Sequence, residues 1–314
     1  MTTTTHELPM ILTEVEALSV ERITPSFVRV ELAHSVLADF GVDGKLYDQR
    51  IKLVFPNAAG NLPSFEGADS AWFTTWLDIP PAERGHMRTY TVREVRGSGE
   101  DTRLVVDFVL HDEDGETGPG SAWAARASVG DRLVLVGPRR GLPFGGIEFE
   151  PGTARNLMLA GDETAVPAIC SILTDLPAGT RGIAFLEVPT SDDVLDVPSP
   201  EDLKVVWLPR DGSPHGRKQI AAVREHFGLE PVADLVEGTA VDPDLWETPS
   251  YSSSGEVIGD ETVVGHDLAG LYAWIAGESR VVTTLRRALV KELEVDRRQV
   301  AFMGYWRHGV AMRS

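Results

Sequence analysis

The chain has 314 residues, with 48 acidic against 29 basic side chains and a formal net charge of −19. That balance argues against nucleic acid and anionic membrane as partners, since too few cations exist to displace counterions from a phosphate surface. A hydrophobic content of 42% and a charged content of 25% are ordinary for a globular chain long enough for two domains. A single cysteine, Cys170, excludes a disulfide framework and any cysteine-based zinc or iron–sulfur centre, and points to a reducing cytosol. It stands in the apolar run ETAVPAICSIL and reads as a small buried hydrophobe. The opening MTTTTHELPM lacks the basic and apolar regions of a signal peptide. No apolar run approaches the ~20 residues that a membrane helix needs.

The first half reads as strands. Residues 14–24, 27–32, 51–55, 88–95, 103–110 and 131–137 are short runs rich in Val, Leu, Phe and Tyr, separated by Gly, Pro and Asp clusters. Six such strands predict a small antiparallel Greek-key β-barrel over residues 10–152. One short helix interrupts it at SAWAARA (121–127), with Ser121 placed to cap its N-terminus. The second half changes rhythm. Strands at 155–162, 182–188, 204–209, 271–278 and 299–306 alternate with helices at 163–176, 216–228 and 279–293. This pattern predicts an α/β domain over residues 153–314, with a mainly parallel sheet and helices on both faces. Residues 229–268 are polar and rich in Ser, Gly and Pro, and read as a long surface insertion.

The segment MRTYTVRE (87–94) is unusual for a strand in so acidic a chain. Alternation places Arg88 and Tyr90 on one face. An arginine beside an aromatic makes a poor core layer but a good support for a flat, phosphate-bearing ligand. The guanidinium of Arg88 can take a phosphate bidentately, Tyr90 offers a ring, and Thr91 a hydroxyl. A cross-strand Arg–Tyr pair on a solvated face is the plainer alternative. AGDETAVPA (160–168) follows a strand and opens a helix. Asp162 and Glu163 argue against direct phosphate cradling there, and Asp162 can equally cap the helix. AGE (276–278) ends another strand, where Gly277 and Glu278 would line the crevice of an open sheet. Glu278 can also serve the following helix N-terminus.

A barrel followed by an α/β domain is a two-cofactor architecture. MRTYTVRE, VDFVLHDEDGETGPGSAWA, GDRLVLVGPRRG, LAGDETAVPAI, YAWIAGES, LRRALVKEL and FMGYWRHG resemble, in order, the siderophore-interacting proteins. These are flavin-dependent ferric-siderophore reductases of the ferredoxin-reductase-like superfamily. The resemblance covers roughly residues 15–190 and 270–310. It implies FAD on the barrel, with Arg88, Tyr90, Thr91, Val109, His111, Ser121 and Ala122 as contacts. It places Asp162, Thr164 and Ala165 near the flavin and the nicotinamide entry, and Trp306 (or Tyr305) as a C-terminal aromatic over the flavin. Gly277 and Glu278 are the nicotinamide-side residues. Lys52, Arg139 and Arg307 are the candidate basic cluster for an anionic ferric siderophore.

The implied activity is transfer of electrons from NADH or NADPH through FAD to a ferric siderophore, with no metal site and no general acid or base of its own. Adding one electron to Fe(III) weakens its hold on hard oxygen ligands. Two alternatives stand beside it. One is a flavin reductase or an electron carrier linked to ferredoxin. The other is a non-catalytic siderophore-binding protein.

Overall fold

The computed structural model describes residues 8–110, 117–232, 246–249, 251–252 and 268–309. The chain divides into two compact units, Met1–Ile147 and Glu148–Arg313. The first carries β1 (Met10–Arg22), β2 (Phe27–Ala33), β3 (Arg50–Phe55), helix α1 (Trp72–Asp78), β4 (His86–Thr91), β5 (Glu94–Arg96), β6 (Arg103–Val109), helix α2 (Pro119–Ala124) and β7 (Arg132–Pro138). Its strands form one sheet in the order β4-β3-β7-β1-β2-β6-β5, every pairing antiparallel. Every second residue of the strands faces one core. Ile11, Val15, Val30, Leu32, Ile51, Leu53, Leu104, Val106, Leu133 and Leu135 close there with Phe108 and Trp123.

Six strands are expected from the sequence and the sheet has seven. The run 88–95 divides at Val92 and Arg93. The Val92 N–H donates to Gln49 O at 3.0 Å, and the Arg93 N–H donates to Val105 O at 2.9 Å. The chain thus leaves β3 and joins β6 within two residues. The capping role expected of Ser121 is corrected. Helix α2 opens on Pro119, Gly118 holds the cap position, and no side chain caps it. Proline's fixed φ and missing N–H suit the first helical position, and this puts Ser121 inside the first turn. Helix α1 has no counterpart in the sequence reading. Its Trp76 packs with Val54, Met87 and Val134 on the sheet face away from the main core.

The second unit carries β8 (Asn156–Gly161), α3 (Val166–Asp175), β9 (Arg181–Val188), β10 (Leu203–Pro209), α4 (Arg217–His226), β11 (Trp246–Thr248), β12 (Tyr251–Ser252), β13 (Leu271–Glu278), α5 (Ser279–Arg286) and β14 (Val300–Trp306). The sheet order is β10-β9-β8-β13-β14-β11-β12. The first five strands are parallel, and β11 and β12 are antiparallel additions at the edge. Helices α4 and α5 lay Ile220, Val223, Val281, Val282 and Leu285 over Met158, Ala160, Ile275 and Phe302. A π-helical turn, Arg287–Glu292, continues α5.

The expected insertion therefore contributes structure as well as loop. Trp246 stacks on Tyr305, with ring centroids 6.0 Å apart and planes 19° apart. Buried Glu247 accepts from Arg286 at 2.7 Å and from Arg297 at 3.0 Å. Most of residues 229–268 lies outside the described residues.

Phe302 is fully buried where α4 and α5 meet the sheet. Phe302→Ala is expected to cost about 3–5 kcal/mol, as for other large-to-small core changes. Urea unfolding followed by circular dichroism measures it. A loss under about 1 kcal/mol would contradict this packing.

Candidate functional site

The antiparallel register of β3 and β4 decides the chemistry of the first unit. Arg50 pairs with Thr91, Lys52 with Thr89, Leu53 with Arg88 and Phe55 with His86. Four cationic or titratable nitrogen groups therefore lie along one two-stranded ribbon. Lys52 Nζ donates to Thr89 Oγ1 at 2.6 Å, and Arg88 donates to the Met87 carbonyl at 2.7 Å. Burial holds Lys52 below the usual lysine range, and Arg50 and Arg88 push it the same way. Burial, then Arg88 and Arg84, lowers His86. The charges acting on both groups are all positive. In a chain of net charge −19 this ribbon gathers like charge. Arg88 and His86 share one face of the ribbon, and Arg50 and Lys52 the other; the Arg88 guanidinium is the donor there that fits the diphosphate of a dinucleotide coenzyme such as FAD.

Tyr90 lies two residues beyond Arg88 on β4. Its ring packs against Phe108 at 4.6 Å and Phe55 at 5.9 Å, and burial pushes its phenol well above the usual range. The first turn of α2 sits against it. A Cβ on Gly120 would fall 1.8 Å from Tyr90 Oη, so only glycine fits between helix and ring. Ser121 is buried in the same turn, and the Ala122 N–H is already bonded to Gly118 O at 2.8 Å. Thr91 is buried, and Val109 closes β6 opposite Phe27. Register places Arg88 on the face of Tyr90, against which α2 packs, and Lys52 on the opposite face beside Thr89. Arg139 lies just past β7 and is bonded to Asp39 at 2.7 Å. His111 falls outside the described residues.

In the second unit the informative edge is the C-terminal end of the parallel strands. Asp162 follows β8 and is buried. Its Oδ1 accepts from the Thr164 N–H at 2.9 Å and the Thr164 hydroxyl at 2.5 Å. Its Oδ2 accepts from the Glu278 N–H at 2.7 Å and from Trp306 Nε1 at 2.8 Å. Burial, then neighbouring Glu163, raises its pKa, while those donors oppose the rise. Gly277 makes the arrangement possible. Its φ is +139°, and a Cβ there would fall 2.5 Å from Asp162 Oδ2. Trp306 is thereby fixed at the end of β14, with His215 edge-on at 5.2 Å.

Glu278 caps α5, accepting from the Arg280 N–H at 2.7 Å and the Val281 N–H at 3.1 Å. Ala165, buried, is the cap residue of α3, and its N–H bonds to Asp162 O at 2.9 Å. Arg307, half-buried, belongs to this unit, whereas Lys52 and Arg139 belong to the first. Two residues here escape sequence reasoning. Arg210 forks onto Glu163 at 2.6 and 2.8 Å and lies 3.5 Å from Glu187. The available signal is a lone charge ending each apolar run, Glu187 in FLEV and Arg210 after WLP. Arg50 and His86 are the corresponding omissions in the first unit.

Comparison with known proteins assigns both halves. Residues 16–142 match the family model described as "Siderophore-interacting FAD-binding domain", and residues 154–309 match "Siderophore-interacting protein". Over 290 residues the chain is 30% identical to the ferric vibriobactin reductase ViuB of Vibrio cholerae, spanning 91% of this chain and 86% of that one. Over 160 residues it is 31% identical to the NADPH-dependent ferric-chelate reductase of Escherichia coli, 50% of this chain and 54% of the other. The crystal structure of a siderophore utilization protein from T. fusca superposes with a TM-score of 0.67 at 28% identity, covering 97% of this chain and 95% of that one. A ferredoxin-NADP+ reductase from Plasmodium falciparum shares the fold, with a TM-score of 0.54 at 10% identity over 94% of this chain and 96% of that one.

Gly277→Ala is expected to cost about 2–4 kcal/mol, because strain at positive φ adds to the clash with Asp162. Trp306→Phe deletes one donor to a carboxylate and is expected to cost about 1–3 kcal/mol. A raised folded pKa means that the folded state binds the Asp162 proton more tightly, so its contribution to stability falls as pH rises. Removing the indole donor raises that pKa further. The Trp306→Phe deficit should therefore grow with pH from the carboxyl range upward. Denaturant midpoints across pH measure both effects, and a deficit that shrinks as pH rises would contradict the Asp162–Trp306 bond.

Proposed function

The chain belongs to the siderophore-interacting protein family, and we propose that it is an FAD-dependent ferric-siderophore reductase. It takes electrons from NADH or NADPH and passes them to Fe(III) held by a siderophore, releasing Fe(II). The observation that carries this reading is the cationic β3–β4 ribbon lying within the segment matched to the flavin-binding domain. The first unit, read as a Greek-key barrel, holds the flavin. The second unit receives the nicotinamide donor.

The residues divide the work by their chemistry. Arg88 holds the coenzyme diphosphate by charge-assisted hydrogen bonds, assisted by the neighbouring cations. Tyr90, braced by Phe55, Phe108 and Gly120, offers a fixed ring edge beside it. Thr91, Val109, Ser121 and Ala122 supply contact around that ring, and His111 follows Val109 in the chain. Asp162, Thr164 and Ala165 shape the entry on the second unit, and Trp306, anchored by Asp162, is the aromatic wall. Gly277 and Glu278 stand beside it. Lys52, Arg139 and Arg307 attract an anionic ferric chelate, which the overall charge would otherwise repel.

Bound FAD supplies the conversion between a two-electron donor and a one-electron acceptor. One NAD(P)H yields two electrons and each Fe(III) takes one, so two ferric chelates are reduced per nucleotide oxidised. The protein needs no iron ligand, only a coenzyme held with its edge accessible. Among the described residues no group of three or more His, Cys, Asp or Glu is placed to hold a metal ion.

Anaerobic turnover of the flavin-loaded protein tests the reading. NADH or NADPH is added with a ferric hydroxamate or catecholate and a ferrous trap. Two Fe(II) per nucleotide are expected. Flavin that bleaches while no Fe(II) forms from either chelate class would reject the reductase assignment. Arg88→Ala is expected to weaken FAD retention about tenfold or more, the scale of a lost charge-assisted hydrogen bond. Unchanged flavin content in that variant would remove Arg88 from the site.

A further inference from the structure

The five parallel strands of the second unit end at one edge, the usual place for a nucleotide diphosphate in an open α/β sheet. There, helix N-termini ordinarily offer their N–H groups to the phosphates. In this chain several of those groups already have carboxylate partners. Glu187, buried at the end of β9, accepts from the Gly216 N–H at 2.7 Å and the Gln219 N–H at 3.1 Å, at the start of α4. Glu278 does the same for α5 at 2.7 and 3.1 Å. Asp162 takes the Glu278 and Thr164 N–H groups between them.

The charge at this edge is mixed, with the carboxylates on the inside. Asp162, Glu163, Glu187 and Glu278 are all buried at this edge, and Arg210 is bonded to Glu163 and lies beside Glu187. Lys218, in the first turn of α4, donates to the Pro209 carbonyl. Arg217 and Arg280 stand exposed in the first turns of α4 and α5, yet a diphosphate placed at these helix ends would have to displace a bonded carboxylate.

We infer that Glu187, Glu278 and Asp162 set the donor specificity of this chain by excluding a diphosphate from the helix ends, so that the donor is recognised by its nicotinamide riboside part. This rests on the nicotinamide donor proposed above. The 2′-phosphate and adenine then contribute little, and NADH and NADPH are poorly discriminated.

Two measurements on the flavin-loaded protein decide it. Anaerobic flavin bleaching is followed with NADH and with reduced nicotinamide riboside, which carries no phosphate. Second-order rate constants within about tenfold of each other are expected, a difference under ~1.4 kcal/mol. Calorimetry with ADP-ribose, a redox-inert diphosphate, should show no binding at micromolar concentration. Glu187→Gln, which removes one charge from the edge, should tighten ADP-ribose by about tenfold or more. The inference is overturned if NADH outruns the riboside by about a hundredfold or more, or if ADP-ribose binds the native protein at micromolar concentration. If neither donor bleaches the flavin, the nicotinamide reading fails, and the ADP-ribose result still decides this inference. Should Glu187→Gln fail to fold, the native comparisons stand by themselves.

Discussion

A chain with an excess of acid can hold an anionic coenzyme only where it crowds its few cations, and crowding like charges is unfavourable until an anion arrives. Elsewhere in this protein arginines meet carboxylates. Arg29 forks onto Asp107, Arg96 and Arg103 meet on Glu31, Arg224 takes Glu292, and Arg286 and Arg297 converge on Glu247. On the β3–β4 ribbon the charges that act on Lys52 and His86 are those of arginines. Register sets Arg88 opposite Leu53 and His86 opposite Phe55 on one face, with Arg50 and Lys52 on the other, and the strands cannot slip without turning Leu53 and Phe55 out of the core. Apolar packing thus maintains an electrostatic arrangement that the proposed ligand would relieve.

The second unit inverts the charge. Buried carboxylates line its strand ends, each held by backbone N–H groups at helix starts. Such bonds favour the ionised form and offset burial, which acts the other way on Asp162 and Glu187. The same bonds join separate strands. Asp162, just past β8, grips the β13 backbone at Glu278 and the β14 indole of Trp306. A rigid aromatic at a strand end follows directly from one carboxylate and one glycine.

Much of this was legible in the sequence because it depends on local patterns. Short apolar runs located the strands of the first sheet and the five parallel strands of the second, though not β11 and β12, and the change of rhythm near residue 150 separated two kinds of layer. Arg88 and Tyr90 stood out because their chemistry conflicts with a core layer. Less was legible where the cause is distant. WFTTWLD carries no helix signal in the sequence reading, since a seven-residue helix has little propensity of its own and is held by Trp76 on the sheet. Strand 88–95 divides because two different partners bond Val92 and Arg93. The Glu163–Arg210–Glu187 cluster joins three strand ends and leaves no spacing to find. Ser121 misled because Pro119 outranks it as a helix start.

The central claim is that the first unit binds FAD through its cationic ribbon. Titration of flavin-free protein with FAD, followed by the shift in the flavin absorption spectrum at low and high salt, tests it most directly. Saturation at one FAD per chain, weakening as salt screens the ribbon, is the expected result. A spectrum that stays that of unbound FAD at every ratio, or an affinity indifferent to salt and to loss of Arg88, would contradict it.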